Sequence, residues 1–397
     1  MQSAWNTIGA RSAAAIIVCA IACGAFGAPA RADDDDEKAK PRNYPSIEGE
    51  VSIEMRHDNV FDADSSDLKG SDSFTKTELE ATAHFNKYFG LYTHFTFEPV
   101  EDRHDGEDRF FSDHGLYAEE IYGKLTLDPF EIFAGKFNPA FGRAWDDTPG
   151  VYGTDLVEDS YQLTERLGVG FSVSREHTAF GDVKLIASAF YADTSALSNS
   201  AFVNRGQRDH LDGGLSNTNT LDSFALSLEG EKIPGLPDVS YNLGFVHQAA
   251  GVNDIDDQNG VVFGLQSKRN YNGVEIKLIG EAAYFDYGGD FYETDDPTRF
   301  VDSFWFLTLG AEAKMGRYHA AVAYTGRYAE LFDNTNFDDY QGQLSAGIDL
   351  ERGWAFDLGY RYLVEAEDES HTIGLLLKKK IAFDTGELEP AAGKALK

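Results

Sequence analysis

The chain has 397 residues and a formal net charge of −33 at pH 7, from 67 acidic and 34 basic side chains. Such acidity argues against nucleic acid as a partner, because the phosphate backbone is itself an anion. A content of 42% hydrophobic and 13% aromatic residues is too high for a disordered protein, so the bulk of the chain is expected to fold.

The first predicted element is a secretory signal peptide at residues 1–32. Arg11 supplies its positive charge, SAAAIIVCAIACGAFG its short apolar stretch, and an Ala-Arg-Ala sequence ending at Ala32 its cleavage site. A transmembrane helix is the alternative, but the apolar stretch is short and interrupted by glycine. Cleavage removes Cys19 and Cys23, so we expect neither a disulfide nor a cysteine metal site in the exported chain.

After a predicted acidic linker at residues 33–45, apolar residues recur with a period of two. In WAFDLGYRYLV, residues 354–364, every second residue is large and apolar, and those between are mostly polar or small. A helix would scatter these apolar residues around its axis, whereas a strand places them on one face. About sixteen such segments follow one another over residues 46–383, which predicts an all-β chain.

Long polar connections alternate with short turns between these segments. The long ones include residues 57–72, 99–113, 138–164 and 194–220, and the short ones include NK, DP, MGR and RG. Bacterial transmembrane barrels have an even number of strands, short periplasmic turns and long outer loops. A soluble β-sandwich or a propeller also has strands of period two, but its loops need not alternate in length. The sequence therefore predicts a 16-stranded antiparallel transmembrane β-barrel.

The segment AGKFNPAFG, residues 134–142, ends the fifth predicted strand and superficially suggests a phosphate-binding loop. A P-loop has Ser or Thr after its lysine, but Phe137 follows Lys136 here. Pro139 also removes a backbone N–H donor from the proposed cradle. The segment fails as a phosphate loop and instead introduces the long connection at residues 138–164.

The pattern Gly-Lys-Phe-x-Pro-x-Phe-Gly from Gly135 to Gly142 resembles the phosphate-selective porin O/P family, in which a similar phrase leads into the constriction loop. The segment PGVYGTDLVEDSYQLTERLGVGF that follows is similar to the related siderophore-porin group. The resemblance implies an outer-membrane porin of a Gram-negative bacterium. It also implies a homotrimer surrounded by lipid and lipopolysaccharide. Its specific motifs cover residues 130–172.

The loop at residues 138–164 is expected to fold inward and narrow the barrel, because sixteen strands enclose a wide lumen. Its charged side chains are Arg143, Asp146, Asp147, Asp155, Glu158 and Asp159. Residue parity along the strands places Lys124, Arg327, Arg361, Glu120 and Asp357 on the pore wall. The excess of acids predicts a constriction that prefers cations, with Arg327 and Arg361 across from it.

These features predict a water-filled channel for passive diffusion of small hydrophilic solutes, with a mild cation preference. The alternative is a substrate-specific porin or receptor for an anion such as phosphate, or for a siderophore. His84 and His94, near Glu80 on the predicted inner face, raise the possibility of a metal or acid–base site, although solvated pore lining is the commoner role of such residues. We predict no catalytic residue, cofactor or metal, and residues 384–397 form a tail of unassigned role.

Overall fold

The computed structural model describes residues 42–104, 106–156, 161–286, 301–331 and 336–386. The strands are β1 (Ser46–Ala63), β2 (Gly70–His84), β3 (Phe89–Pro99), β4 (Arg109–Phe110), β5 (His114–Leu127), β6 (Phe130–Phe137), β7 (Arg166–Thr178), β8 (Gly181–Ala192), β9 (Ala201–Phe202), β10 (Ser223–Glu231), β11 (Val239–Gln248), β12 (Gln258–Tyr271), β13 (Val274–Phe285), β14 (Val301–Met315), β15 (Tyr318–Leu331), β16 (Asn336–Asp349), β17 (Trp354–Glu365) and β18 (Asp368–Asp384). A four-residue helix, α1 (Ala144–Asp147), follows β6. Within the described ranges no helix is long and apolar enough to span a membrane.

Sixteen of these strands form one closed antiparallel barrel, as the sequence predicted. Each pairs with the next around the circle, and β18 returns to pair with β1 from Glu48 opposite Asp384 to Ala63 opposite Ser370. The two-residue strands β4 and β9 are additions at the barrel end, where β4 pairs with β2 and β9 with β5. Because the first and last strands are joined, no open sheet edge remains in the barrel. The predicted signal peptide at residues 1–32 lies outside the described residues, as do residues 387–397 of the predicted tail.

The two faces of the barrel differ sharply in chemistry. On β16, Leu344 is 57% exposed, whereas its neighbour Gln343 is 3% exposed. The same alternation places Leu309 of β14 outside and Gly310 inside. An outer face of large exposed apolar side chains is what a lipid-facing barrel requires. The opposite parity therefore identifies the side chains that point into the lumen.

Part of the lumen is filled by an apolar core. Phe141, Tyr161 and Leu163, from the loop between β6 and β7, pack in one cluster with Phe285 of β13 and Phe306 of β14. Burying each such ring contributes roughly 1.5–3 kcal/mol, so this cluster fixes the loop against the wall. The available signal was the run Phe304-Trp305-Phe306, which puts aromatic residues on both faces of β14.

Candidate pore constriction

The inner loop, residues 138–165, begins where β6 ends. β6 has eight residues and is the shortest strand of the described barrel. Beyond its end, Gly115 and Leu116 of β5 pair with Phe202 and Ala201 of β9. A segment of the β8–β10 connection thus pairs with β5 at the point where β6 has ended and the inner loop has begun.

Lys136, the lysine of the GKF motif, is 1% exposed and joins this region together. Its Nζ lies 2.7 Å from Glu165 Oε2 at the far end of the inner loop and 2.9 Å from Asp193 Oδ2 after β8. It also donates a 2.8 Å hydrogen bond to the carbonyl oxygen of Leu197. A buried ammonium requires such partners, because its desolvation is costly. Lys136 therefore ties both ends of the inner loop to the connection between β8 and β10. With these partners its ammonium group does not hold a phosphate.

Glu281 on β13 anchors the first half of the inner loop. Its buried carboxylate accepts hydrogen bonds from the backbone N–H of Arg143 at 2.8 Å and of Ala144 at 3.0 Å. Tyr161 Oη donates at 2.7 Å and Asn242 Nδ2 at 3.0 Å, so four donors surround one anion. Gly142 has φ +72°, and a Cβ there would lie 2.9 Å from Glu281 Oε1. This glycine permits the loop to approach the wall closely.

Asp147 and Asp146 occupy different electrostatic environments. Asp147 Oδ2 accepts from Arg143 Nε at 3.1 Å, and Lys277 Nζ lies 3.5 Å from its Oδ1. Asp146 is exposed and, within the described residues, has no ion pair. Desolvation inside the barrel, then the charge of Asp147, raises the pKa of Asp146. Lys277 and Arg143 oppose this shift, and Glu78 of β2 adds to it. Asp146 is thus the least compensated of the predicted loop acids that the structure describes.

The second half of the loop follows the wall from β14 round to β1. Pro149 lies over Gly310 of β14, where a Cβ would approach it to 2.9 Å. Gln341 and Gln343 of β16 both donate to the carbonyl oxygen of Gly153, at 2.9 and 2.7 Å. All these wall residues belong to the inner face, so the loop lies inside the barrel. These two glutamines were not predicted as site residues, although a Gln-x-Gln pair on an inner face was visible in the sequence.

Near the end of the described part of this run, Asp155 lies between two arginines. Arg56 Nη2 of β1 lies 2.9 Å from its Oδ2, and Arg361 Nη1 of β17 lies 3.5 Å from the same oxygen. Arg361 therefore contacts the loop itself. The sequence instead led us to expect Arg361 on the opposite side of the passage from the loop. The predicted loop residues Glu158 and Asp159 lie outside the described residues.

The remaining wall consists of β1, β2, β3 and β5, and it is rich in carboxylates. Its inner-face acids are Glu50, Glu54, Glu78, Glu80, Glu98, Glu119 and Glu120. Lysines offset part of this charge, with Lys76 Nζ 3.2 Å from Glu78 and Lys380 Nζ 2.9 Å from Glu50. His94 lies 3.5 Å from Glu119, while His84 contacts Glu48 instead, so the two histidines do not share a site. In the described part of the chain, no group of three or more His, Cys, Asp or Glu residues could hold a metal ion.

The other predicted wall residues have varied surroundings. Glu120 accepts a hydrogen bond from the backbone N–H of Asn138 at 2.9 Å, at the start of the inner loop. Lys124 lies 3.7 Å from Glu131, and Asp357 contacts His319 at 2.6 Å. Arg327 of β15 differs from these residues in its burial. It is 4% exposed and lies 2.7 Å from Asp339, so it is a buried ion-pair partner within the wall and not a charge facing the passage.

Comparison with solved structures places this architecture among outer-membrane proteins. Salmonella typhi OmpF, in complex with daunomycin, superposes with a TM-score of 0.60 at 10% identity, covering 86% of this chain and 100% of that one. The outer membrane channel DcaP of Acinetobacter baumannii gives 0.54 at 12% identity, covering 88% and 100%. OmpT of Vibrio cholerae in its trimer form gives 0.51 at 12% identity, covering 85% and 100%. Neither a protein-family model nor a curated protein sequence matches the chain.

These likenesses establish the fold, which is the 16-stranded barrel of outer-membrane porins. They support a porin fold in general and not the phosphate-selective family in particular. The comparisons thus agree with the GKF motif on the porin fold. They contain nothing that points specifically to phosphate.

Proposed function

We propose that this protein is a porin of the Gram-negative outer membrane, through which small hydrophilic solutes diffuse passively. The closed barrel, its apolar outer face and its polar inner wall support this function, together with the outer-membrane proteins that share the fold. The predicted export signal at residues 1–32 agrees with that location. The inner loop narrows the lumen, so the passage runs between this loop and the wall of β2, β3 and β5.

The carboxylates on both sides of this passage give it a preference for cations. Asp146 is an exposed acid of the inner loop, and glutamates line the inner face of β1, β2, β3 and β5. Fixed charges in a narrow passage with low-dielectric walls focus the field and select the entering ion by its sign. The row of inner-face carboxylates on β1, β2, β3 and β5 is the observation that carries the proposal. The same charges disfavour phosphate, because carboxylates repel an anion.

A planar-bilayer recording tests both statements. The purified protein is expected to form open, ohmic channels whose zero-current potential in a potassium chloride gradient indicates cation preference. The preference should weaken at high salt, because the Debye length falls from about 10 Å at 0.1 M to about 3 Å at 1 M. Anion preference would revive the alternative of an anion-specific porin, and silent bilayers would contradict the channel altogether.

We also propose a homotrimer, in line with the trimer form of Vibrio cholerae OmpT. Chemical cross-linking of the protein in outer-membrane vesicles is expected to give a ladder that ends at three chains. A ladder that stops at one chain would contradict this assembly.

A further inference from the structure

The tip of the inner loop fits a depression in the barrel wall that two glycines create. Gly359 of β17 and Gly374 of β18 lie directly opposite each other in the sheet. A Cβ at Gly359 would lie 2.8 Å from Val151 Cβ, and a Cβ at Gly374 would lie 2.4 Å from Tyr152 Oη. Both contacts are closer than a real side chain permits. The missing side chains therefore leave room for Val151 and for the ring of Tyr152, which is 0% exposed.

Two guanidinium groups flank the Tyr152 ring from the strands on either side of β18. Arg56 Cζ on β1 lies 4.7 Å from the ring centroid, and Arg361 Cζ on β17 lies 4.8 Å from it. Both distances are within the range of cation–π attraction, which is stronger when the groups are removed from water. The same two arginines bind Asp155, three residues further along the loop. Ring and carboxylate thus occupy one pocket, which also holds Asp58, whose Oδ2 lies 2.8 Å from Arg56 Nε.

The hydroxyl group of Tyr152 does not hold the residue in place. Its Oη is buried and, among the described residues, has no hydrogen-bond partner. A buried hydroxyl without a partner is unfavourable by itself. The contribution of the residue therefore comes from its aromatic face.

We propose that Tyr152 is a positioning residue, held between Arg56 and Arg361, that fixes the loop tip against the wall. This clamp keeps Asp155 between the two guanidiniums and so sets the width and the fixed charge of the passage. The effect on the passage rests on the proposed channel function. The position of the loop tip does not depend on that function. Loss of the aromatic face releases residues 150–155 into the lumen.

Bilayer recordings of Tyr152→Phe, Tyr152→Leu and Tyr152→Ala test the clamp, with the exposed Tyr271→Ala at the end of β12 as a control. Phenylalanine keeps the aromatic face and is expected to reproduce the conductance and current noise of the wild type. Leucine fills much of the volume without a π face, so we expect about tenfold more frequent current transitions, as for alanine. The zero-current potential should also shift, because Asp155 leaves its arginines. Unchanged behaviour of Tyr152→Leu would show that packing alone holds the loop and would overturn the proposal.

A second measurement does not depend on channel activity. A chain that begins at residue 33 has no cysteine, so Val151→Cys introduces a single thiol under the clamp. Its reaction with a charged thiol reagent is expected to be about tenfold faster in combination with Tyr152→Leu than with Tyr152→Phe. Equal rates would contradict the clamp even if no channel forms, whereas silent wild-type bilayers contradict only the porin function. Retained heat-modifiable mobility on a gel verifies that each variant is folded.

Discussion

Among the loop acids, the partners of each carboxylate decide how much it contributes to selectivity. Asp147 is compensated by Arg143 and Lys277, and Asp155 by two arginines. The sequence of the loop contains five acids and one arginine. This count overstates the net negative charge that the loop presents to the passage. Among the loop acids that the structure describes, Asp146 is the one without an ion pair.

Asp146→Asn is expected to remove much of the cation preference, measured as the zero-current potential in a salt gradient. Because the pKa of Asp146 is raised, its carboxylate gains a proton at a higher pH than an ordinary aspartate. The wild-type preference should therefore fall on acidification, beginning above the normal range of aspartate, and the variant should lack this step. Glu231→Gln, at the end of β10 beside a short turn, is the control. A variant with the wild-type pH profile would contradict this assignment.

Lys136→Met tests the buried lysine. Removing the cation leaves the buried carboxylate of Asp193 without its lysine, whereas Glu165 keeps Arg205. This loss is expected to cost about 3–5 kcal/mol of unfolding free energy. Urea unfolding in detergent micelles measures this loss. Lys184→Met is the matched control, because Lys184 also pairs with a carboxylate but its side chain is 40% exposed. Equal losses for the two variants would show that burial of Lys136 is unimportant.

At the scale of elements, the strands were predictable and the course of the inner loop was not. A strand is encoded locally, since alternation places each residue on one of two faces. The contacts of the loop join residues more than a hundred positions apart, as in the bond from Arg143 to Glu281, and no local pattern encodes them. Arg327 illustrates the limit. Its parity correctly gave the inner face, but its burial depends on Asp339 of the neighbouring strand.

Glu281→Gln is expected to loosen the first half of the inner loop. An amide brings its own donors toward the N–H groups of Arg143 and Ala144, so part of the four-donor arrangement is lost. Current noise should rise, and a protease added from the outer side should cut the loop faster. Glu275→Gln is the matched control on the same strand, because Glu275 pairs with Lys268 near the turn after β12. Unchanged noise and cleavage would show that Glu281 does not anchor the loop.

At the scale of the whole molecule, the closed sheet predicts resistance to unfolding. Because every barrel strand has two neighbours, the folded protein should remain compact in dodecyl sulfate until it is boiled. Unheated and boiled samples are therefore expected to migrate differently on a denaturing gel. Deletion of β18 is the control, because it exposes the edges of β1 and β17. Identical mobility of the intact chain before and after boiling would argue against a closed barrel.

The junction of β1 with β18 also governs how the chain can reach its final form. The backbone N–H of Ile47 donates to Thr385, 338 residues away, so this junction joins the two ends of the barrel sequence. Closing so long a segment costs entropy before any hydrogen bond of the junction forms. Until the final strand arrives, the growing sheet has two unpaired edges that can pair with other chains. The chain is therefore most exposed to aggregation while its sheet is open, and pairing of β1 with β18 removes that exposure.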